Sequence, residues 1–169
     1  MTDAPAPTAV SPVADLPFPP ETLQAFSQLC VGRWMSLRSI FALDGSEEWH
    51  QSERGEVEIR SDDDPTGCAA LTVSDGEGKP LSRLVFSADG VVQRAGGAAQ
   101  AIQSGGWQLR KDGCLELRFP ADDDAEVLER VWFIKANLRL RTTTLVDRSG
   151  TPQQASFCSE IRRVSSPAR

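Results

Sequence analysis

Ten short runs of strand-forming sequence, separated by tight-turn chemistry, constrain this chain more than any other feature. They are RWMSLRSIFAL (33–43), WHQSERGEVEIR (49–60), GCAALTVS (67–74), LSRLVFS (81–87), GVVQRA (90–95), GGWQLRK (105–111), GCLELRF (113–119), EVLERVWFI (126–134), LRLRTTTLV (138–146) and QASFCSEIRRV (154–164). Between them stand DGSEE, SDDDP, DGEGKP, ADG, KDG, PADDDA, KAN and DRSGTP, which supply the Gly, Pro, Asp and Asn of chain reversals. Parallel pairing would need crossover helices, so strands spaced at roughly 8–12 residues pair antiparallel. The expected fold is all-β, a ten-stranded antiparallel up-and-down barrel, with a two-sheet sandwich as the alternative.

One short N-terminal helix is expected beside the strands. Leu23, Phe26, Leu29 and Cys30 fall at helical spacing, Pro19-Pro20-Glu21 suits a helix start and Gly32 suits its end. Residues 1–20 hold six of the eleven prolines and read as a disordered Pro/Ala-rich tail. Residues 21–164 are then one barrel domain, and 165–169 a C-terminal tail.

The net charge of −6 argues against a whole-surface attraction to nucleic acid or anionic membrane. No apolar run approaches the ~18–20 residues of a membrane span. The opening MTDAPAPTAV has neither the basic nor the apolar region of a secretory signal, so a cytoplasmic protein is expected. Cys30, Cys68, Cys114 and Cys158 show no CxxC spacing and are expected to be reduced thiols. With His50 as the single histidine, no metal site or catalytic triad is expected.

The total charge hides an asymmetry. Residues 129–169 hold eight basic and three acidic residues, a balance of +5, which leaves −11 for the first 128. Part of this basic end is patterned. Strand side chains alternate, so Glu129, Val131 and Phe133 share one face of a strand, and Arg139, Arg141 and Thr143 share one face of the next. Two arginines at i and i+2 form a row. Either the row faces water on the outside of a half-buried sheet, or it points into a barrel interior that holds an anionic ligand, where arginine pairs bidentately with carboxylates.

Other features read as ordinary structure. His50 beside Trp49 is a plain strand or turn residue, and the cysteines sit among apolar neighbours as small core residues. Asp62-Asp63-Asp64 and Asp122-Asp123-Asp124 read as solvated turns without calcium-loop spacing. The stretch GGAAQAIQSGG (96–106) reads as a flexible loop, since it lacks the lysine of a phosphate-binding loop.

Three segments in order, VGRWMSLRS (31–39), ERVWFIKANLRLRTTTL (129–145) and ASFCSEIRR (155–163), resemble the S/U-type phycobiliprotein lyases of cyanobacteria, the chromophore lyase CpcS/CpeS-like family. The resemblance runs from about Leu23 to Val164. It implies a lipocalin-like barrel that binds a phycobilin, either phycoerythrobilin or phycocyanobilin. The barrel would transfer this open-chain tetrapyrrole to a cysteine of an apo-phycobiliprotein alpha or beta subunit as a thioether. The bilin is then substrate, and no resident cofactor is implied.

By matching motifs, the resemblance assigns Glu129, Arg139 and Arg141 to the catalytic site, with Arg38, Thr143 and Trp132 as further bilin contacts. Thr143 replaces the usual Ser, Leu37 stands where Gln is frequent, and Ile40 or Phe41 replaces a family His. Trp34 and Phe133 are candidates for either a ring contact or the core. The resemblance also implies a homodimer or a heterodimer with a related lyase. The alternatives are a non-catalytic bilin carrier or partner subunit, and a general lipocalin-like binder of amphipathic anions.

Overall fold

The computed structural model describes residues 16–63, 69–96 and 102–164. Each run of alternating residues becomes a strand that ends where its turn residues begin. The order is α1 (Leu23–Cys30), β1 (Gly32–Ala42), β2 (His50–Asp63), β3 (Ala69–Asp75), β4 (Pro80–Phe86), β5 (Val91–Gly96), β6 (Ile102–Leu109), β7 (Leu115–Pro120), β8 (Glu126–Lys135), β9 (Leu138–Val146) and β10 (Pro152–Arg162). Every strand pairs antiparallel with its chain neighbours, and β1 pairs with β10, from Trp34 opposite Arg162 to Ala42 opposite Gln154. The sheet is therefore a closed ten-stranded up-and-down barrel rather than a two-sheet sandwich, and it has no free edge.

Helix α1 closes one end. Thr22 caps it, its hydroxyl accepting from the Ala25 amide over 3.1 Å. Phe26, Leu29 and Cys30 then pack among Trp34, Ile59, Leu71, Phe86, Leu115, Leu117 and Phe133, which fill the lower barrel. The helix ends at Cys30, with Val31 extended, so Gly32 is the first residue of β1 rather than the helix cap. Its φ of +137° favours glycine, and a Cβ there would press on the Arg162 guanidinium.

Several boundaries differ from the sequence expectations. The expected tail ends before residue 20, since Leu16 packs on the core and Pro20 is buried. Asp62 and Asp63 lie in β2 rather than in a turn, and Thr72 donates to the Asp62 carboxylate over 2.9 Å. Ile102–Gly106 belongs to β6 rather than to a loop. Gly105 is required there because a Cβ would collide with the Arg118 carbonyl and the Phe119 ring. Asp122–Asp124 does form a turn, with Asp123 and Asp124 at positive φ. Cys30, Cys114 and Cys158 are buried thiols. Residues 1–15, 64–68 (with Cys68), 97–101 and 165–169 lie outside the described residues.

Candidate functional site

The arginine row on β9 points inward. Arg139 is 5% exposed, and its neighbour Glu160 on β10 is 1% exposed. Residues paired across antiparallel strands point to the same side of the sheet, so the register fixes the rest of the inward wall. Arg139 lies between Phe133 on β8 and Glu160 on β10, Arg141 between Val131 and Cys158, and Thr143 between Glu129 and Ser156. On β1, Trp34, Ser36 and Arg38 stand opposite Arg162, Glu160 and Cys158. Five of the six residues assigned from the sequence, Arg38, Glu129, Arg139, Arg141 and Thr143, thus share the interior.

Trp132 does not join them. It lies between Val131 and Phe133, both buried inside the barrel, so alternation turns its indole to the outer wall opposite Leu140. Trp34 is fully buried, its indole NH donating to the Cys30 carbonyl over 2.8 Å. The Arg139 and Arg162 guanidinium groups lie 4.9 and 4.2 Å from its ring centroid. Phe133 packs edge-on against Phe26. Both aromatics are core residues that support the arginines.

The charged groups form one connected cluster. Arg139 Nε donates to Glu160 Oε2 over 2.6 Å, and Arg141 Nη2 reaches Glu160 Oε1 at 3.4 Å. Arg141 also lies 4.0 Å from Glu129, which accepts from Arg94 Nη2 over 3.2 Å. Arg38 meets only the Ser156 hydroxyl, at 3.5 Å. Arg94, Arg139 and Arg141 therefore share two carboxylates, a surplus of one positive charge, while Arg38 stands opposite Glu53 of β2. Burial alone would raise the Glu160 pKa; Arg139 and Arg141 outweigh it and hold the carboxyl below its ordinary range.

Arg162 has a separate role. It donates to the carbonyls of Leu29, Val31 and Ala136 and to the Asn137 side chain, tying α1 and the β8–β9 turn to β10. Burial pulls its pKa down, and among the described residues no carboxylate faces it.

Across the interior from the arginines stand Ile59, Leu71, Val73, Leu84, Phe86 and Leu117, and the two walls enclose a cavity of about 60 Å³. That is the space of about two water molecules. A drug-sized ligand needs a few hundred Å³ or more, so a larger guest has to use the barrel above the buried pair. Arg141, whose side chain is 34% exposed, and Arg38 line that upper part.

Sequence reasoning missed Glu160, Arg94 and Arg162. The available signal was the S-E-I-R alternation of β10, which places Glu160 and Arg162 on one face beside the β9 row. Arg94 became visible only when closure of the sheet brought β5 across from β8. No cluster of three or more potential metal ligands occurs among the described residues. His50 is exposed on the outside of β2, stacked on Phe41 at 5.0 Å.

Comparison with known proteins gives the same direction. Residues 85–163 match the family described as CpeS-like protein. Over 149 residues the chain is 40% identical to chromophore lyase CpcS/CpeS 1 of Paulinella chromatophora, covering 87% of this chain and 91% of that relative. The chain belongs to the chromophore lyase CpcS/CpeS family. A second relative, chromophore lyase CpcS/CpeS 1 of Trichodesmium erythraeum, is 30% identical across 83% of this chain and 97% of its own length. The structure of S-type phycobiliprotein lyase CPES from Guillardia theta superimposes with a TM-score of 0.61. That match has 21% identity and covers 86% of this chain and 94% of the other, so it supports the barrel fold of the family. The CpeS-like match spans β8, β9 and all of β10, the strands that carry Glu129, Arg139, Arg141 and Glu160.

Proposed function

We propose that this chromophore lyase attaches a phycobilin to a cysteine of an apo-phycobiliprotein alpha or beta subunit through a thioether bond. One observation supports the bilin most directly: a wall carrying Arg38, Arg139 and Arg141 faces an apolar wall inside a closed barrel. A bilin has the complementary chemistry, with two propionates on a conjugated apolar body.

Arg141 and Arg38 hold the propionates above the buried pair, each charge-assisted bond contributing about 1.5–3 kcal/mol. Arg139 is committed to Glu160 and acts from below, fixing Arg141 through their shared carboxylate. Glu129 accepts hydrogen bonds from the pyrrole N–H groups and favours a protonated bilin whose ring A ethylidene is more electrophilic. The Thr143 hydroxyl adds a neutral contact at the same level of the wall. The acceptor's thiol adds across the ethylidene double bond. Sulfur bonds to the exocyclic carbon, and the proton goes to the adjacent ring carbon. No oxidant is consumed.

The lyase contributes positioning and electrostatics, and the acceptor contributes the nucleophile. This division fits a chain whose described cysteines are all buried. The test mixes pure protein, phycoerythrobilin or phycocyanobilin and separate apo-subunits, followed by zinc-enhanced fluorescence on a denaturing gel. The expected result is a fluorescent subunit band above the control lacking the protein. No such band with either bilin and any subunit overturns the reading.

A further inference from the structure

We propose that Arg94 is a positioning residue, which holds the Glu129 carboxylate toward the bilin and away from Arg141. The assignment rests on the bilin reading in one respect, that Glu129 meets the pyrrole nitrogens. Arg94 stands on β5 between Leu84 of β4 and Gln103 of β6. Leu84 lines the interior cavity and paired residues share a face, so Arg94 points inward. Its partner Glu129 is on β8, which is not hydrogen-bonded to β5, so the two meet across the barrel interior.

The guanidinium is held on two sides. Its carbon lies 4.1 Å from the Phe119 ring centroid, within the cation–π range. That ring is itself seated by Gly105, where a Cβ would collide with it. Arg94 Nη2 then donates to Glu129 Oε2 over 3.2 Å. Arg141 faces the other oxygen, Oε1, at 4.0 Å. Among the described residues Arg94 pairs with no other carboxylate, whereas Arg141 also reaches Glu160.

A carboxylate offers about four acceptor positions. With Arg94 on Oε2, the positions left over stay open to pyrrole N–H groups. Without Arg94, the cation left beside Glu129 is Arg141, and the two close on each other. The site then loses an acceptor for the pyrroles and a donor for a propionate in one step. Stability does not account for the pair. A buried ion pair is often no better than apolar residues of the same volume, and Leu84 and Phe119 show that apolar side chains fit at this level.

The test is absorbance titration of the full chain with phycocyanobilin and with phycoerythrobilin, alongside the thermal midpoint. Arg94→Ala should move the bound-bilin band in the same direction as Glu129→Gln and raise the bilin Kd about tenfold. Arg94→Lys keeps the charge without the stacked fork and should recover part of both effects. In a Glu129→Gln background, Arg94→Ala should change the Kd less than about twofold further, since the residue it positions is already disabled. Arg83→Ala, at an exposed residue of β4, should match the wild type. Where Arg94→Ala does not fold, Arg94→Gln repeats the test with a shorter, uncharged donor.

A wild-type band and affinity in Arg94→Ala, additive losses in the double variant, or a lowered midpoint with the band unmoved each overturn the assignment. Wild-type protein that leaves both bilins' absorbance unchanged overturns the bilin reading and the assignment together. Bilin binding beside an inert Arg94 overturns the assignment alone. Bilin binding without adduct on any subunit counts against the lyase step, and the spectral comparison then still decides the role of Arg94.

Discussion

Arg139 and Glu160 meet side by side on β9 and β10, Nε donating to Oε2 over 2.6 Å, with both side chains almost wholly withdrawn from water. The same carboxylate reaches Arg141 through its other oxygen. Glu160 thereby sets the spacing of the two guanidinium groups, although nothing in the β9 sequence points to it.

Replacing Glu160 by Gln keeps the shape and removes the charge, leaving Arg139 buried without its partner. The expected loss is about 3–5 kcal/mol of unfolding free energy by urea titration at neutral pH. Because the folded pKa of Glu160 is held below the ordinary 4.5, its contribution is present above pH 4.5 and fades as pH falls through the folded value. The gap between wild type and Glu160→Gln should therefore narrow on acidification. A gap independent of pH rejects the ion-pair account.

Arg141 and Arg139 should separate binding from stability. Arg141 is partly exposed and faces the upper barrel, so Arg141→Ala should weaken bilin affinity about 10- to 100-fold with little change in thermal midpoint. Arg139→Ala leaves the buried Glu160 charge uncompensated and should lower the midpoint strongly. Absorbance titration and thermal unfolding measure the two effects, and equal behaviour of both variants contradicts the layered arrangement.

Glu129 and Trp132 sit on opposite faces of β8, three residues apart. Glu129→Gln should shift the absorption band of the bound bilin. Trp132→Ala, on the outer wall, should leave that spectrum unchanged. A spectral change from Trp132→Ala would place the chromophore elsewhere.

Burial pushes the thiols of Cys30, Cys114 and Cys158 above their ordinary value. In a Cys68→Ser background the native protein should resist iodoacetamide at about pH 7.5, one unit below the ordinary thiol pKa. Labelling should become complete in denaturant. Fast alkylation of the folded chain, read by mass spectrometry, contradicts the buried assignment.

The strand pattern was legible because alternation and turn residues are local properties. The direction of the arginine row was not. On β9, β10 and β1 the inward positions carry Arg139, Arg141, Glu160 and Arg38, while the outward ones carry Leu138, Leu140, Phe157 and Met35. Alternation shows that two faces differ, but it labels the apolar face as the inner one, and in this half of the barrel that label is reversed. The N-terminal end of β6, Ile102–Ser104, reads as loop for another reason. The glycines that follow it signal a loop locally, and the use of Gly105 in close packing against Phe119 depends on β7.

Because β1 is hydrogen-bonded to β10, the barrel joins its own first strand in chain order to its last. A nascent chain cannot complete the ring until Arg162 has emerged from the ribosome, and most of the site is carried on the final three strands. Until then β1 and β9 hold unpaired edges next to apolar faces, the situation in which strands from different chains pair. Expression yield of this protein should therefore depend on the interval between synthesis of β9 and release of β10 more than on the equilibrium stability of the finished barrel.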